Sequence, residues 1–408
     1  MSTPARPPPP STPASSPWDV FVVFLRLGLT SFGGPVAHLG YFRQEFVERR
    51  RWLSDVAYAE LVALCQFMPG PASSQVGLGI GLMRAGHLGS AAAWIGFTLP
   101  SAIAMFLFAV GIASVEDAGQ SGWLRGLKVV AVAIVAHAVL GMAKSFSRGL
   151  WQGALTVVAA GIVLRFPGFT GQIGAILLGA LMGVLLAGEG SAASPSDSLV
   201  QISRRAGWIS LSLFAALFAL TPVAASLTDL AGLQIFDGFF RTGSLVFGGG
   251  HVVLPLLQAV VVEPGWVTED QFLAGYSAAQ AIPGPLFTFA AYLGAAQSAW
   301  PSPAMAACVA IAAIFLPSFL LVTGLLPFWQ RLREYRQVAG AMVGVNAAVV
   351  GLLLAAFYSP VFTAGISSLE DLILAVLGFA VLAGLRWPAW SVVLIGAIIG
   401  LLRGAVGQ

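Results

Sequence analysis

The segment FLRLGLTSFGG at 24–34 returns as FFRTGSLVFGG at 239–249, and a Pro-Gly-Pro follows each copy about 36 residues later, at Pro69-Gly70-Pro71 and Pro283-Gly284-Pro285. The duplication extends further. Arg26, Gly28 and Phe32 pair with Arg241, Gly243 and Phe247 at an offset of 215, Trp52 and Gln66 with Trp266 and Gln280 at 214, and Pro100-Ser101 with Pro317-Ser318 at 217. Helix-breaking motifs repeated in corresponding positions mark chains that bind a substrate between two halves.

Of the 408 residues, 58% are hydrophobic and only 9% charged, with a mean hydropathy of +0.88. Soluble domains carry roughly 25% charged residues, so the solvent of this chain is lipid. The net charge of +3 does not indicate nucleic acid, because Lys and Arg sit at the ends of apolar runs and report topology. Cys65 and Cys308 both lie inside apolar segments, which excludes a disulfide framework. Metal, nucleotide and cofactor motifs are missing too.

The expected fold is an all-α polytopic membrane protein built from two homologous, inverted repeats. Spans are predicted at about 87–114, 124–144, 150–165, 170–187 and 208–228, then 303–328, 338–358, 367–384 and 389–402. Segments 18–32, 35–48, 55–68 and 72–83 are too short to cross a core that needs ~20 residues per helix. They read as arms of two re-entrant or broken helical hairpins per half, tipped by FGG and PGP. Irregular backbone at that depth must line a cavity or be buried in protein. Residues 1–17, rich in Pro, Ser and Thr, read as a disordered tail; 18–187 form the first repeat, 188–207 a linker, and 208–408 the second repeat with an extra leading helix. Arg43 and Arg49, Arg50 and Arg51 crowd the loop after the first hairpin, whereas 260–265 has Glu263 and no base, so the halves read as opposite in orientation.

A helix that leaves such a tip presents unpaired N–H groups and the positive end of its dipole, which suits an anion. Gly33, Gly34, Pro69, Gly70 and Pro71, with Gly248, Gly249, Pro283, Gly284 and Pro285, are therefore candidate substrate contacts. The competing reading is that Gly and Pro simply permit kinks and close packing. Arg26 and Arg241 lie about two turns before the FGG tips in apolar surroundings, with no acid at a repeat-equivalent spacing; two guanidinium forks match a tetrahedral dianion, unless each snorkels to the interface. Gln66 and Gln280 precede the PGP motifs by three residues and can donate to an oxyanion without adding charge, or can bond a neighbouring helix. Glu60, His38 and His251 are candidates for proton coupling, each with a structural role as its alternative.

These segments resemble the chromate ion transporter family in its long, two-domain form. FLRLGLTSFGGPVAHLGYFRQEFVERRRWLSD and QFMPGPASSQVGLGIG are similar to its N-terminal half, and FFRTGSLVFGGGHVVLPLL and QAIPGPLFTFAAYLG to its C-terminal half. The resemblance covers about 18–402. It implies a multi-pass protein of the bacterial inner membrane, halves of opposite orientation, and chromate efflux, in exchange for protons, with sulfate as competitor. Gly250 stands where the first half has Pro35, and His251 where it has Val36, a departure from strict two-fold equivalence. An importer or anion channel of the same architecture is the alternative. An intramembrane enzyme fits poorly, since no nucleophile–base pair or metal ligand set is present. A homodimer is compatible with all of these readings.

Overall fold

The computed structural model describes residues 16–113, 122–186, 203–247, 250–297, 300, 302–332 and 335–406. Every regular segment among them is helical, with no strand. The first half runs α1 (Pro17–Thr30), α2 (Gly34–Arg43) with a π-helical turn at Gln44–Arg49, α3 (Asp55–Phe67), α4 (Ala72–Ala113), α5 (Gly122–Phe146), α6 (Leu150–Arg165) and α7 (Phe169–Leu186). The second runs α8 (Arg204–Leu227), α9 (Ala231–Leu245), α10 (Val253–Val261), α11 (Glu269–Ala281), α12 (Phe289–Ala296), α13 (Pro303–Leu325), α14 (Trp329–Leu332), α15 (Arg336–Ala356), α16 (Thr363–Gly365), α17 (Leu369–Ala383) and α18 (Ala389–Val406). Six helices among the described residues are long and apolar enough to cross a bilayer, and the chain is a multi-pass membrane protein.

Local chemistry sets the boundaries. Ser16 and Thr268 close capping boxes on α1 and α11, and Ser54 accepts from Ala57 N at 3.1 Å to start α3. These caps place Asp55 and Glu269 in first helical turns, as their spacing predicts. α4 is two helices in one: Ala85 and Gly86 leave helical geometry, and Gly86 has φ +63, a value that suits glycine. The chain folds back there, so a Cβ on Gly81 would lie 2.3 Å from the Gly89 carbonyl oxygen. That break separates the predicted 72–83 arm from the 87–114 span. α8 begins at Arg204, inside the 188–207 segment expected as linker; Ser203 caps it, accepting from Ala206 N at 3.2 Å. Residues 188–202 lie outside the described residues, as do 1–15 of the expected tail.

The short arms pack against one another around their motifs. Phe24 on α1 stacks on Phe46 at 5.0 Å between ring centres and meets Phe42 edge-on at 5.6 Å. Leu61 on α3 covers Gly79 on α4, and Val260 on α10 covers Gly238 on α9. In the second PGP pair, Tyr292 lies over Gly275 and donates its hydroxyl to Gln271 O at 2.8 Å.

The spanning helices cross between halves. α5 lies against α17 and α18, while α15 lies against α6 and α7. Glycines set both contacts: Gly122 and Gly126 face Gly400 and Gly396, and Gly179 and Gly183 face Gly344 and Gly340, so close that Cβ atoms added to Gly122, Gly126, Gly179, Gly183, Gly344 or Gly400 would sit 1.9–2.7 Å from backbone oxygen. Backbones approach this closely in lipid only where side chains are small.

Candidate functional site

The two Pro-Gly-Pro tips reach across the molecule. Gly70 N donates to Val246 O at 2.6 Å, and Gly284 N donates to Ser31 O at 2.9 Å. Ser31 and Val246 stand at the repeat offset of 215, so each tip binds the residue that precedes the other half's FGG. The side-chain environment is exchanged in the same way. The Cβ position of Gly70 lies 3.0 Å from Ser318 Oγ, and that of Gly284 lies 2.8 Å from Ser101 Oγ. Pro35 and Gly250, also repeat partners, come together: a Cβ on Gly250 would be 3.5 Å from Pro35 Cγ.

Glycine is required at these turns, with φ of +123 at Gly70 and +101 at Gly284. Pro71 precedes the first residue of α4, and Pro285 is the N-cap of a 3₁₀ turn, Leu286–Thr288, that leads into α12. Gly33 and Gly34 also have positive φ, +100 and +77, and α2 starts at Gly34 with Pro35 in its first turn. Gly248 and Gly249 lie outside the described residues. Pro69 O accepts from Gln75 Nε2 at 2.6 Å, and Pro283 belongs to the irregular turn after α11.

His38 is buried at the first tip. Its Nε2 contacts Ser31 O at 3.2 Å, the same carbonyl that receives the Gly284 N–H, and its Nδ1 lies 3.4 Å from Ser73 Oγ. His251 Nδ1 lies 2.8 Å from the Tyr276 hydroxyl. Glu60 stands away from both, its Oε2 accepting from Trp329 Nε1 at 3.0 Å. Gln280 is half-buried, and its Nε2 has no partner; Gln66 is exposed.

Neither arginine sits at a tip. Arg26 is exposed and lines a shallow cavity of about 490 Å³ with Thr30, Tyr41, Glu45, Glu48 and Arg49. Arg241 Nε donates to Asp237 Oδ1 at 3.1 Å and stands over the Phe169 ring; Thr221 donates to the same Asp237 oxygen at 2.6 Å. The acid that meets Arg241 is thus one helical turn back on its own helix, where the repeat has Val22. Asp237 has no acidic repeat partner, and its link to Arg241 lies in the i,i+4 spacing.

A larger cavity of about 1190 Å³ lies between α5, α17 and α18 and contains no tip residue. Its charges answer one another: Asp371 accepts from Arg125 at 2.8 Å and from Arg403 at 3.1 Å, and Glu370 pairs with Arg403. No group of three His, Cys, Asp or Glu residues suited to a metal occurs among the described residues.

Taken together, these features define a polytopic helical membrane protein with discontinuous helices meeting between two halves. Residues 18–184 and 233–401 match the family described as Chromate transporter, and the chain belongs to that family. It is 31% identical over 404 residues to the probable chromate transport protein of Synechococcus elongatus, covering 96% of each chain. It is 30% identical over 357 residues to the chromate transport protein of Pseudomonas aeruginosa, covering 86% of this chain and 82% of that one. With the chromate transport protein of Cupriavidus metallidurans, identity is 29% over 352 residues, covering 83% and 81%. No solved structure matches the chain.

Proposed function

We propose that this protein is a secondary transporter of the bacterial inner membrane that exports the chromate dianion, with sulfate as competitor. The observation that carries this reading is the reciprocal meeting of the two PGP tips with the residues before the two FGG motifs. Helices begin at or directly after these motifs, and their dipoles would favour an anion where the two halves meet. Rocking of the halves about these contacts would expose the anion to one side and then to the other. The relatives' names supply chromate as the cargo.

Electrostatics supplies the direction. Moving one charge across 100 mV is worth ~2.3 kcal/mol, so a dianion leaving a negative-inside cell gains about 4.6 kcal/mol. Export is downhill on potential alone, and protons are a secondary drive acting through His38, His251 or Glu60. In vesicles of defined orientation at fixed pH, chromate efflux is expected to rise as the potassium–valinomycin potential is made more negative inside. Indifference to potential would mean that coupled ions balance the two charges. Uptake favoured by a negative interior would establish the importer reading instead.

The same proposal makes the halves inverted in the membrane. Glu48 and Glu263 are both exposed, Glu48 in the π-helical turn that ends the first FGG arm and Glu263 in the turn after α10. Single cysteines at these positions, in an otherwise cysteine-free chain, should react with impermeant reagents from opposite sides; reaction from one side would make the halves parallel.

The arginines act at the approaches to the tips. Arg26→Ala and Arg241→Ala should each lower chromate flux sharply at equal expression, with Lys restoring only part because it lacks the planar fork. The Arg241 variant should suffer more, since it leaves the partly buried Asp237 without its cation. Wild-type resistance in both alanine variants would remove the arginines from the pathway.

A further inference from the structure

Two hydroxyls beside the first Pro-Gly-Pro tip are buried without a hydrogen-bond partner. Ser318 Oγ comes from α13 of the other half and the residue is 0% exposed; Ser74 Oγ comes from the first turn of α4 and the residue is 4% exposed. Gln75, also 0% exposed, folds back over the tip, with Nε2 on Pro69 O and Oε1 unpartnered. Ser318 Oγ and Gln75 Nε2 lie 3.0 and 2.3 Å from one point, the place where a Cβ on Gly70 would stand. Native proteins leave few buried polar atoms unpaired, and a cluster of them asks for a missing partner.

At the second tip Ser31 Oγ and Thr98 Oγ1 are also buried without a partner, but the hydroxyls that match Ser74 and Ser318 are bonded. Thr288, the repeat partner of Ser74, donates to Pro285 O at 2.9 Å, and Ser101, the partner of Ser318, donates to Thr98 O at 3.1 Å. Phe289 stands where the first half has Gln75. The same hydroxyls that are occupied by backbone at one tip are therefore free at the other.

We infer that the tetrahedral oxyanion is held at the first tip alone, by Ser74 Oγ–H and Ser318 Oγ–H with the amino end of α4 behind them. The second tip serves as the fixed backbone clasp on Ser31. This assignment rests on the tip reading above and adds its ligands. Neutral hydroxyl donors suit a transported dianion: they discriminate an oxyanion by geometry yet form no ion pair that must be broken on release. Gln75 Oε1 can only accept, and takes a hydrogen bond from a water or from an O–H of the ligand. Because Ser318 belongs to the second half and Ser74 to the first, the ligand bridges them. Movement of one half against the other pulls the donor pair apart, which links release to the conformational change.

The test uses the full-length protein in lipid nanodiscs and labelled chromate at equilibrium. The Ser74→Ala/Ser318→Ala double variant should lose roughly tenfold or more in affinity, while its ligand-free melting temperature stays level or rises, because an unpartnered buried hydroxyl has been removed. The matched Ser101→Ala/Thr288→Ala variant should change affinity less than about twofold. Binding should saturate at one chromate per chain. Equal losses in both pairs would make the site two-fold symmetric and overturn the assignment, as would a ligand-free form of the first variant that melts well below wild type. If both hydroxyl-pair variants bind normally while Pro69→Ala/Pro71→Ala does not, the tip backbone is the site and the hydroxyls are not. Normal binding in all three variants would remove the tip reading as well.

Discussion

Gly70→Ala is expected to lower chromate flux by two orders of magnitude or more at matched incorporation into vesicles. Its φ of +123 is open to glycine and strained for alanine, at about 1–3 kcal/mol. The new Cβ would also stand 2.3 Å from Gln75 Nε2 and 3.0 Å from Ser318 Oγ, so the side chain that folds over the tip must leave. Any shift of the turn loosens the 2.6 Å bond from Gly70 N to Val246 O, worth about 1 kcal/mol more. Since ~1.4 kcal/mol is a factor of ten, the sum reaches a hundredfold. Gly284→Ala shares the positive φ, but its nearest neighbours are Ser101 Oγ at 2.8 Å, Ser101 Cβ at 3.3 Å and Phe97 O at 3.4 Å, with nothing as close as Gln75 is to Gly70, and it should fall less. Wild-type flux through Gly70→Ala would show that the tip does not govern transport.

The largest stability effect is expected far from the tips, at Asp371→Ala. The Asp371 side chain is 0% exposed and accepts from Arg125, Arg403 and Ser367 Oγ. Removing one member of a buried ion pair costs ~3–5 kcal/mol; here Arg125 loses its acid, while Arg403 keeps Glu370. Arg125 is half exposed and Arg403 one-third, so water takes up part of the loss and the lower end of that range is expected. Asp371→Asn, which keeps one carbonyl acceptor and the shape, should fall less. Thermal unfolding of the purified protein provides the measurement; a melting temperature equal to wild type for the alanine variant would show that the network contributes nothing.

The helix boundaries around the motifs could be read from the sequence because each signal was local. Ser54 and Thr268 announce helix starts, Pro69 and Pro283 announce ends, and the 83–87 gap in the apolar pattern is where Gly86 turns the chain. What lay between halves was harder to read. Nothing in the neighbourhood of Ser318 says that it meets Gly70, more than two hundred residues away; only the pairing of Pro317-Ser318 with Pro100-Ser101 hinted that both serines matter. Arg241 misled because the repeat directed attention to matched positions, and its partner Asp237 has no match. The glycine contacts did leave a trace, since Gly122-x-x-x-Gly126, Gly179-x-x-x-Gly183, Gly340-x-x-x-Gly344 and Gly396-x-x-x-Gly400 each present one small face. Spacing shows that such a face exists, but not which helix it will find.

The crossed packing of α5 with α17 and α18, and of α15 with α6 and α7, has a bearing on how the protein is made. At ~5–20 residues per second, α5 leaves the ribosome ten seconds or more before the helices that will cover its glycines. During that interval Gly122, Gly126, Gly179 and Gly183 face lipid or whatever protein shelters nascent spans. The first half therefore completes its packing only when the second arrives, and a chain released at the midpoint would present two bare glycine faces, one on α5 and one on α7, each shaped to accept a helix that was never translated.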